Sequence, residues 1–266
     1  MRRLESWQGK VTVITGASSG IGRLLAIHAA KAGALVVLVA RNEERLTAVS
    51  SEIQATGGKA DVVICDVSDR DAVFRAAQAI LERHGRVDVL LNNAGYGRHL
   101  RFAEWDLNDI ERMVQVNLLG AIFWTKALLP HMLDRGSGWL VFVASVAGKL
   151  GVPDESVYCA TKFAMIGMAE SISIEVEDAG IHVLTVCPGA IDTEFFSEEM
   201  LRRMPPVAKK NMIRPERLVA EIMNALAKGK REITVPRSIA AGYIARTLFP
   251  RFTRAMVKRV ALRPVE

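Results

Sequence analysis

Two residues with acid–base chemistry, Tyr158 and Lys162, stand four positions apart in the chain. On a helix, residues i and i+4 lie on the same face, so the lysine ammonium would lie beside the phenol. A free phenol titrates near pH ~10, and a fixed cation nearby lowers that pKa. The pair is a candidate proton donor with a group that adjusts its pKa, although an ordinary amphipathic helix face has the same spacing.

Two further polar residues fall where they could join such a site. Ser145 follows an apolar run at 139–144 that is typical of a strand, and ligands bind beyond the carboxyl ends of strands in open α/β sheets. Asn117 lies inside a helical pattern at 106–132, where its side chain competes for backbone hydrogen bonds. We expect Asn117 either to tie this helix to the sheet or to hold a water near the site.

A strand, a glycine-rich loop and a helix open the chain. Residues 10–15 form a β-branched run, residues 16–22 read G-A-S-S-G-I-G, and residues 23–32 continue with helical spacing. This order sets backbone N–H groups and a helix N-terminus against a pyrophosphate. The sequence therefore predicts a phosphate-binding turn.

The residues after the next apolar runs bear on the choice of nucleotide. In dinucleotide-binding folds an acid at the second strand end holds the ribose 2′-OH, whereas an arginine accommodates a 2′-phosphate. Arg41 follows the run at 34–40 with no acid at the strand tip, which favours NADP over NAD; a surface role at the next helix start is the alternative. Asp66 follows the third run and could accept a hydrogen bond from the adenine.

Alternating apolar runs and helical patterns predict an α/β fold, a doubly wound parallel sheet of about seven strands with helices on both faces in a single domain. We expect a catalytic domain over 1–236 and a basic amphipathic C-terminal extension over 237–266. Residues 192–213 mix Phe, Met and Pro with charges, which predicts a mobile helical lid with an apolar face over the substrate.

Composition excludes several classes of protein. The chain is 50% hydrophobic and 24% charged, which suits a large buried core and not a disordered chain. Cys65, Cys159 and Cys187 are odd in number and far apart, so we expect free thiols, no metal site and a reducing, cytoplasmic location. Residues 1–10 lack the apolar centre of a signal peptide, and no run reaches the ~18 apolar residues of a membrane span.

The charge is unevenly distributed. From Leu201 to Glu266 there are 16 Lys/Arg against 4 Asp/Glu, a net charge of +12, whereas residues 1–200 carry a net charge of −6. The basic, aromatic-containing segment 238–260 predicts peripheral contact with an anionic membrane surface. Packing on its own domain or on another subunit is the alternative. We expect no nucleic-acid partner, because the basic tail comes with no recognisable nucleic-acid-binding module.

Taken together, the motifs resemble the short-chain dehydrogenase/reductase family over roughly residues 8–235. The resemblance rests on T-G-A-S-S-G-I-G at 15–22, D-V at 66–67, N-N-A-G at 92–95, Asn117, Ser145, Y-C-A-T-K at 158–162 and P-G-A-I-D-T at 188–193. It implies a Rossmann-type sheet, a nicotinamide cofactor and a catalytic tetrad of Asn117, Ser145, Tyr158 and Lys162.

The resemblance also implies roles for the tetrad. Ser145 would donate a hydrogen bond to the carbonyl, and Tyr158 would transfer the proton. Lys162 would hold the nicotinamide ribose and lower the pKa of Tyr158, and Asn117 would position a water that relays protons. The implied cofactor contacts are Gly16, Ser18, Ser19, Gly20, Ile21, Gly22, Arg41, Asp66, Val67, Asn93, Ala94, Gly95, Tyr158, Lys162, Pro188, Gly189, Ile191 and Thr193.

Segments 145–149, 191–194 and 215–235 are similar to the hydroxysteroid, retinol and other lipid-carbonyl branches of the family. The resemblance therefore implies an NADP-dependent enzyme that interconverts a carbonyl and a secondary alcohol on a small apolar substrate, as a homo-dimer or homo-tetramer. Two other functions stay open. One is a 3-oxoacyl reductase whose basic tail meets an acidic carrier protein, and the other is a nucleotide-sensing or membrane-associated scaffold.

Overall fold

The structure is a computed structural model that describes residues 2–261, apart from the side chains of Val207, Val260 and Ala261. Residues 262–266 of the predicted C-terminal extension lie outside the described residues. Seven strands form one sheet: β1 (Val11–Thr15), β2 (Leu35–Ala40), β3 (Lys59–Ile64), β4 (Val89–Asn92), β5 (Gly138–Val143), β6 (Ile181–Pro188) and β7 (Glu232–Val235).

The helices alternate with these strands. They are α1 (Gly20–Lys31), α2 (Glu43–Ala55), α3 (Arg70–His84), α4 (Leu107–Val114), α5 (Gly120–Asp134), α6 (Ser156–Glu175), α7 (Glu198–Arg203), α8 (Pro206–Lys210), α9 (Pro215–Ala227), α10 (Ala240–Leu248) and α11 (Pro250–Ala261).

All strand pairs are parallel, in the order β3-β2-β1-β4-β5-β6-β7. The direction of winding reverses between β1 and β4, and this reversal leaves a crevice at the carboxyl ends of these two strands. The prediction of a doubly wound parallel sheet of about seven strands is confirmed.

Alternate residues of the strands supply two separate cores. On β2, Val36 and Leu38 pack in the cluster on one face of the sheet, whereas Val37 and Val39 pack in the cluster on the other. Because helices cover both faces, β1, β5 and β6 are buried at every position and are mostly apolar in sequence.

The helix predicted over 106–132 is interrupted in the structure. A π-helical turn at Gln115–Leu119 separates α4 from α5. By length and composition, Leu107–Asp134 contains an 18-residue window apolar enough to cross a membrane, with a mean hydropathy of 1.2. In the fold, Trp124, Leu128 and Met132 are fully buried in the core on one face of the sheet.

The predicted lid and tail are both largely helical. Residues 192–213 contain α7 and α8, and the mobility of this segment stays a prediction. In the tail, Arg246 on α10 donates a hydrogen bond to the Lys149 carbonyl, and its guanidinium lies 5.4 Å from the centre of the Phe163 ring. The first half of the tail therefore packs on its own domain, close to the loop after Ser145.

Candidate active site

The glycine-rich turn between β1 and α1 is shaped for close approach. Gly16 has φ +66°, and a Cβ there would lie 2.9 Å from the Cα of Ala94. A Cβ on Gly22 would lie 2.2 Å from the Gly16 carbonyl oxygen. Ser19 is the residue before α1. Among the described residues, its side chain makes no capping hydrogen bond to the first N–H groups of the helix. The first N–H groups of α1 are therefore available to a phosphate, which fits the pyrophosphate of a dinucleotide.

Asn93 fastens the loop after β4 to this turn. Its side-chain nitrogen donates to the Thr15 carbonyl at 3.0 Å, and its backbone N–H donates to the Thr15 hydroxyl at 3.0 Å. Ala94 N–H donates to the same hydroxyl at 3.0 Å. The two loops at the point where the winding reverses are thus held as one unit, as the small and amide residues after β4 had indicated.

Ser145, Tyr158 and Lys162 meet beyond the carboxyl end of β5. Ser145 caps a short 3-10 turn by accepting a hydrogen bond from Ala147 N–H at 3.1 Å. Tyr158 and Lys162 lie one turn apart on α6, both buried, with the lysine Nζ 5.6 Å from the centre of the phenol ring. Lys162 Nζ also donates to the Val143 carbonyl at 2.8 Å. The expected cluster of hydroxyl, phenol and ammonium is present.

The pKa of Tyr158 moves in the direction opposite to the prediction. Burial raises it above its ordinary value, the Glu155 carboxylate raises it further, and a hydrogen bond with Ser145 acts the other way. Burial also lowers the pKa of Lys162 to about 8. The expected lowering of the phenol pKa by Lys162 is therefore not met in this structure, because desolvation of the phenolate is the largest cause of the shift and raises the pKa.

Asn117 fastens the interrupted helix to a neighbouring loop. It is fully buried in the π turn, where its Oδ1 accepts from Tyr96 N–H at 2.9 Å and its Nδ2 donates to the Tyr96 carbonyl at 2.8 Å. The side chain therefore ties the helix to the loop that follows β4. A proton-relaying water at Asn117 stays a prediction.

Asp66 and Arg41 lie together at the nucleotide end of the crevice. Arg41 Nη1 is 3.8 Å from Asp66 Oδ2, and Arg112 Nη2 donates to the same oxygen at 2.7 Å. Burial would raise the pKa of Asp66, but the hydrogen bonds from Arg112 and Ser68 outweigh it and lower the pKa. The carboxylate is thus fixed and charged, and most of the Arg41 side chain is exposed at the rim.

One cavity of about 940 Å³ joins these groups. The cofactor contacts implied by the sequence line it, with the exception of Gly22: Gly16, Ser18, Ser19, Gly20, Ile21, Arg41, Asp66, Val67, Asn93, Ala94, Gly95, Tyr158, Lys162, Pro188, Gly189, Ile191 and Thr193. Gly22 instead packs behind the turn against Gly16 and Asn93, so it permits the shape of the turn and does not line the cavity. Asn117 also lies behind the wall.

The structure adds residues that the motifs did not indicate. Tyr96, Glu155 and Arg45 line the cavity together with Phe195 and Phe196. The two phenylalanines belong to the predicted apolar lid, and the Phe195 ring centre lies 5.8 Å from that of Tyr158. Glu155 stands three positions before Tyr158, a helical spacing that could have pointed to it. The free cysteines were expected, and burial raises the pKa of Cys187 to about 12.

Comparison with known proteins agrees with this geometry. A family model described as short chain dehydrogenase matches residues 10–203. The chain is 37% identical over 227 residues to a 3beta-hydroxysteroid dehydrogenase of Mediterraneibacter gnavus, a match that spans 84% of this chain and 80% of that protein. It is 33% identical over 206 residues to a 3-oxoacyl-[acyl-carrier-protein] reductase of Thermotoga maritima, spanning 77% of this chain and 82% of the other.

A solved structure is similar over most of the chain. It is that of a metagenomic short-chain oxidoreductase in complex with NADP, with a TM-score of 0.75 and 31% identity. The match covers 86% of this chain and 98% of that one.

Proposed function

The chain belongs to the short-chain dehydrogenase family, and we propose that it interconverts a ketone and a secondary alcohol on a hydrophobic, lipid-like or steroid-like molecule, preferring NADP(H). Family membership makes it an NAD(P)-dependent oxidoreductase that acts on CH–OH groups. The substrate class and the preference for NADP(H) are the proposal. The observation that carries it is the buried Tyr158, flanked by Ser145 and Lys162 in a cavity that continues into an apolar end.

The chemistry of the site follows from these side chains. The nicotinamide cofactor supplies or accepts the hydride when it is bound. Ser145 would donate a hydrogen bond to the carbonyl oxygen as negative charge develops on it, and Tyr158 would deliver the proton to that oxygen. Lys162 places an ammonium 5.6 Å from the phenol ring, where it would favour the phenolate that remains after proton transfer. In the oxidation direction the same proton would return to Tyr158.

Apolar side chains in the cavity lining support an apolar substrate. They include Ala147, Val152, Phe195, Phe196 and Met204. Phe195 and Phe196 pack edge to face with ring centres 5.1 Å apart, and they come from the segment before α7. Aromatic and aliphatic walls with few polar groups suit a hydrophobic ligand. The hydroxysteroid dehydrogenase relative is consistent with this class.

Arg41 supports the preference for NADP(H). It follows β2 directly, the place from which this fold contacts the adenosine ribose, and it lines the cavity with an exposed guanidinium. A 2′-phosphate would pair with that guanidinium. Asp66 is already engaged by Arg112 and Ser68, which leaves Arg41 the less constrained of the two charges.

A 3-oxoacyl substrate on an acidic carrier protein is the second candidate. Similarity to the Thermotoga reductase and the net charge of +12 over residues 201–266 favour it. The candidates separate by substrate, because a carrier-protein reductase would reduce a 3-oxoacyl group far better on its carrier than as a free ester. A scaffold that only senses the nucleotide would bind NADPH and reduce no ketone.

We further propose a peripheral membrane contact through α10 and α11. Ile244, Leu248, Phe249 and Phe252 are each more than 60% exposed. Arginines and lysines accompany them at Arg246, Arg251, Arg254, Lys258 and Arg259. Apolar side chains among basic ones suit an anionic lipid surface, with aromatics in the acyl boundary and cations over phosphates. A cytoplasmic location stays a prediction.

The last part of the proposal concerns the oligomeric state. Members of this family commonly assemble as homo-oligomers, and we propose a homo-dimer or homo-tetramer for this chain. Leu107 on α4, Leu133 on α5 and Ile174 on α6 are exposed apolar residues of the long helices, which would be covered in such an assembly. Light scattering on the purified protein would measure the mass, and a monomer at micromolar concentration would contradict the proposal.

Tyr158→Phe tests the proposed chemistry. The variant keeps the ring in its buried place and loses the transferable proton, so ketone-dependent oxidation of NADPH should fall on the order of a thousandfold or more. NADPH binding, measured by fluorescence, should remain within about threefold of wild type, since the ring is retained. Turnover like that of wild type would show that Tyr158 is not the acid–base group.

A further inference from the structure

Glu155 is a carboxylate in the apolar part of the cavity wall. It lies immediately before α6 and lines the same cavity as Ser145, Tyr158, Val152 and Phe195. Its side chain is 20% exposed. A partly buried carboxylate is costly unless donors surround it, so a ligand in the cavity that brings a donor would be favoured beside it.

The surrounding loops hold this carboxylate in place. Asp154, the residue before it, has φ +67°, an uncommon conformation for a residue with a side chain. Its carbonyl accepts from Leu100 N–H at 2.8 Å, and its carboxylate lies 2.9 Å from Arg101 Nε. These contacts clamp the segment before α6 onto the loop that follows the Asn93 turn.

His99, from the same loop, backs one side of the carboxylate. The imidazole is buried, with Nε2 3.0 Å from Glu155 Oε1 and its ring centre 6.5 Å from that of Phe196. Oε1 is the oxygen next to His99, and the Glu155 side chain also lines the cavity.

The carboxylate and the reacting phenol are close in space. Glu155 is the residue that precedes α6, and Tyr158 lies in the first turn of that helix. The Glu155 charge is close enough to raise the pKa of Tyr158, second only to burial. A donor from the substrate, above all a cation, would offset that charge and so favour the phenolate formed during reduction. Recognition at Glu155 would thereby assist the proton transfer.

From this geometry we infer that Glu155 selects the substrate: it accepts a hydrogen bond from an ammonium or hydroxyl group that an otherwise apolar ketone carries roughly three to five bonds from its carbonyl. The inference rests on the proposed function and narrows its substrate class from apolar ketones to amphipathic ones. Ketones that are hydrocarbon throughout would place apolar groups against the carboxylate and offer it no donor beyond His99.

Matched ketones test the inference. The first pair is methyl propyl ketone with a terminal diethylamino group, protonated at neutral pH, and its analogue with CH in place of the nitrogen. The ratio of kcat/KM values within this pair cancels any difference in active fraction between variants. Wild type should prefer the aminoketone by roughly tenfold or more, as expected for a charge-assisted hydrogen bond.

Two substitutions separate charge from hydrogen bonding. Glu155→Leu should bring the ratio close to one. The second pair is methyl propyl ketone with a terminal hydroxyl group and its analogue with a terminal methyl group. Glu155→Gln removes the negative charge, so it should lose the preference for the aminoketone. It keeps an acceptor oxygen, so it should still prefer the hydroxyl ketone over the methyl analogue. Glu170→Leu, an exposed position on the same helix, is the control and should keep the wild-type ratios.

A wild-type ratio near one, or a ratio that Glu155→Leu leaves unchanged, would overturn the inference. Dissociation constants for the aminoketone pair, measured by calorimetry with NADPH present, distinguish a failure of the Glu155 inference from a failure of the proposed activity. A protein that binds the aminoketone about tenfold more tightly through Glu155 but reduces neither ketone would overturn the activity alone. Equal binding and turnover of both ketones would overturn the role of Glu155 alone.

Discussion

The side-chain amide of Asn117 forms hydrogen bonds with both the backbone N–H and the backbone carbonyl of Tyr96. Its Oδ1 accepts from Tyr96 N–H at 2.9 Å, and its Nδ2 donates to Tyr96 O at 2.8 Å. The π turn between α4 and α5 brings the amide to this position, and Tyr96 lines the cavity. A residue that does not itself line the cavity therefore shapes its wall.

Asn117→Ala should destabilise the fold. The substitution leaves two backbone groups of Tyr96 without this partner, so we expect a loss of about 2–4 kcal/mol in the free energy of unfolding, measured in urea. Asn224→Ala on the exposed face of α9 is the control and should change stability by less than ~0.5 kcal/mol. Equal stability of the two variants would mean that the Tyr96 contact is dispensable.

Lys162 should give stability a specific pH dependence. Burial lowers its pKa from 10.5 to about 8, so between these values the unfolded state binds the proton and the folded state does not. Stability contributed by this group must then rise with pH across that window and stay constant below it. Relative to Lys162→Met, wild type should gain about 2 kcal/mol from pH 8 to pH 10 in urea unfolding. A difference that is flat or falls with pH would show that the lysine is solvated.

Arg41 should decide between the two nicotinamide dinucleotides. Arg41→Ala removes the exposed guanidinium at the end of β2, and we expect the Kd for NADPH to rise roughly tenfold to a hundredfold. The Kd for NADH should change by less than about threefold, because it has no 2′-phosphate. Arg70→Ala, on α3, is the matched control. Similar losses for both cofactors, or tighter binding of NADH by wild type, would contradict the assignment.

The face formed by α10 and α11 should bind anionic vesicles. The double variant Phe249→Ser and Phe252→Ser should lower flotation with phosphatidylserine vesicles about tenfold or more, because two exposed aromatic rings are lost. We chose point variants because a truncation after Arg237 would also remove the hydrogen bond from Arg246 to the Lys149 carbonyl. Phe74→Ser, at an exposed position on α3, is the control. Equal flotation of both variants and wild type would contradict the membrane contact.

Local sequence patterns determine much of this protein. The buried strands read as apolar runs because a parallel sheet covered on both faces offers no solvent side. The Gly16–Gly22 turn, Ser145 and the Tyr158/Lys162 pair are recognisable because their roles depend on spacing along one strand end or one helix face. These constraints act between residues close in the chain. For this reason the sheet, the glycine-rich turn and the Tyr158/Lys162 pair could be predicted from sequence.

Tertiary structure decides what depends on residues far apart in the chain. His99 meets Glu155 across 56 positions of the chain, and Asn117 reaches Tyr96 across 21 positions. The direction of the Tyr158 pKa shift also depends on packing. The spacing of Tyr158 and Lys162 predicted a lowered pKa, whereas burial raises the pKa of Tyr158. Desolvation is a property of the assembled core, so residue spacing could identify the proton donor but not the sign of its pKa shift.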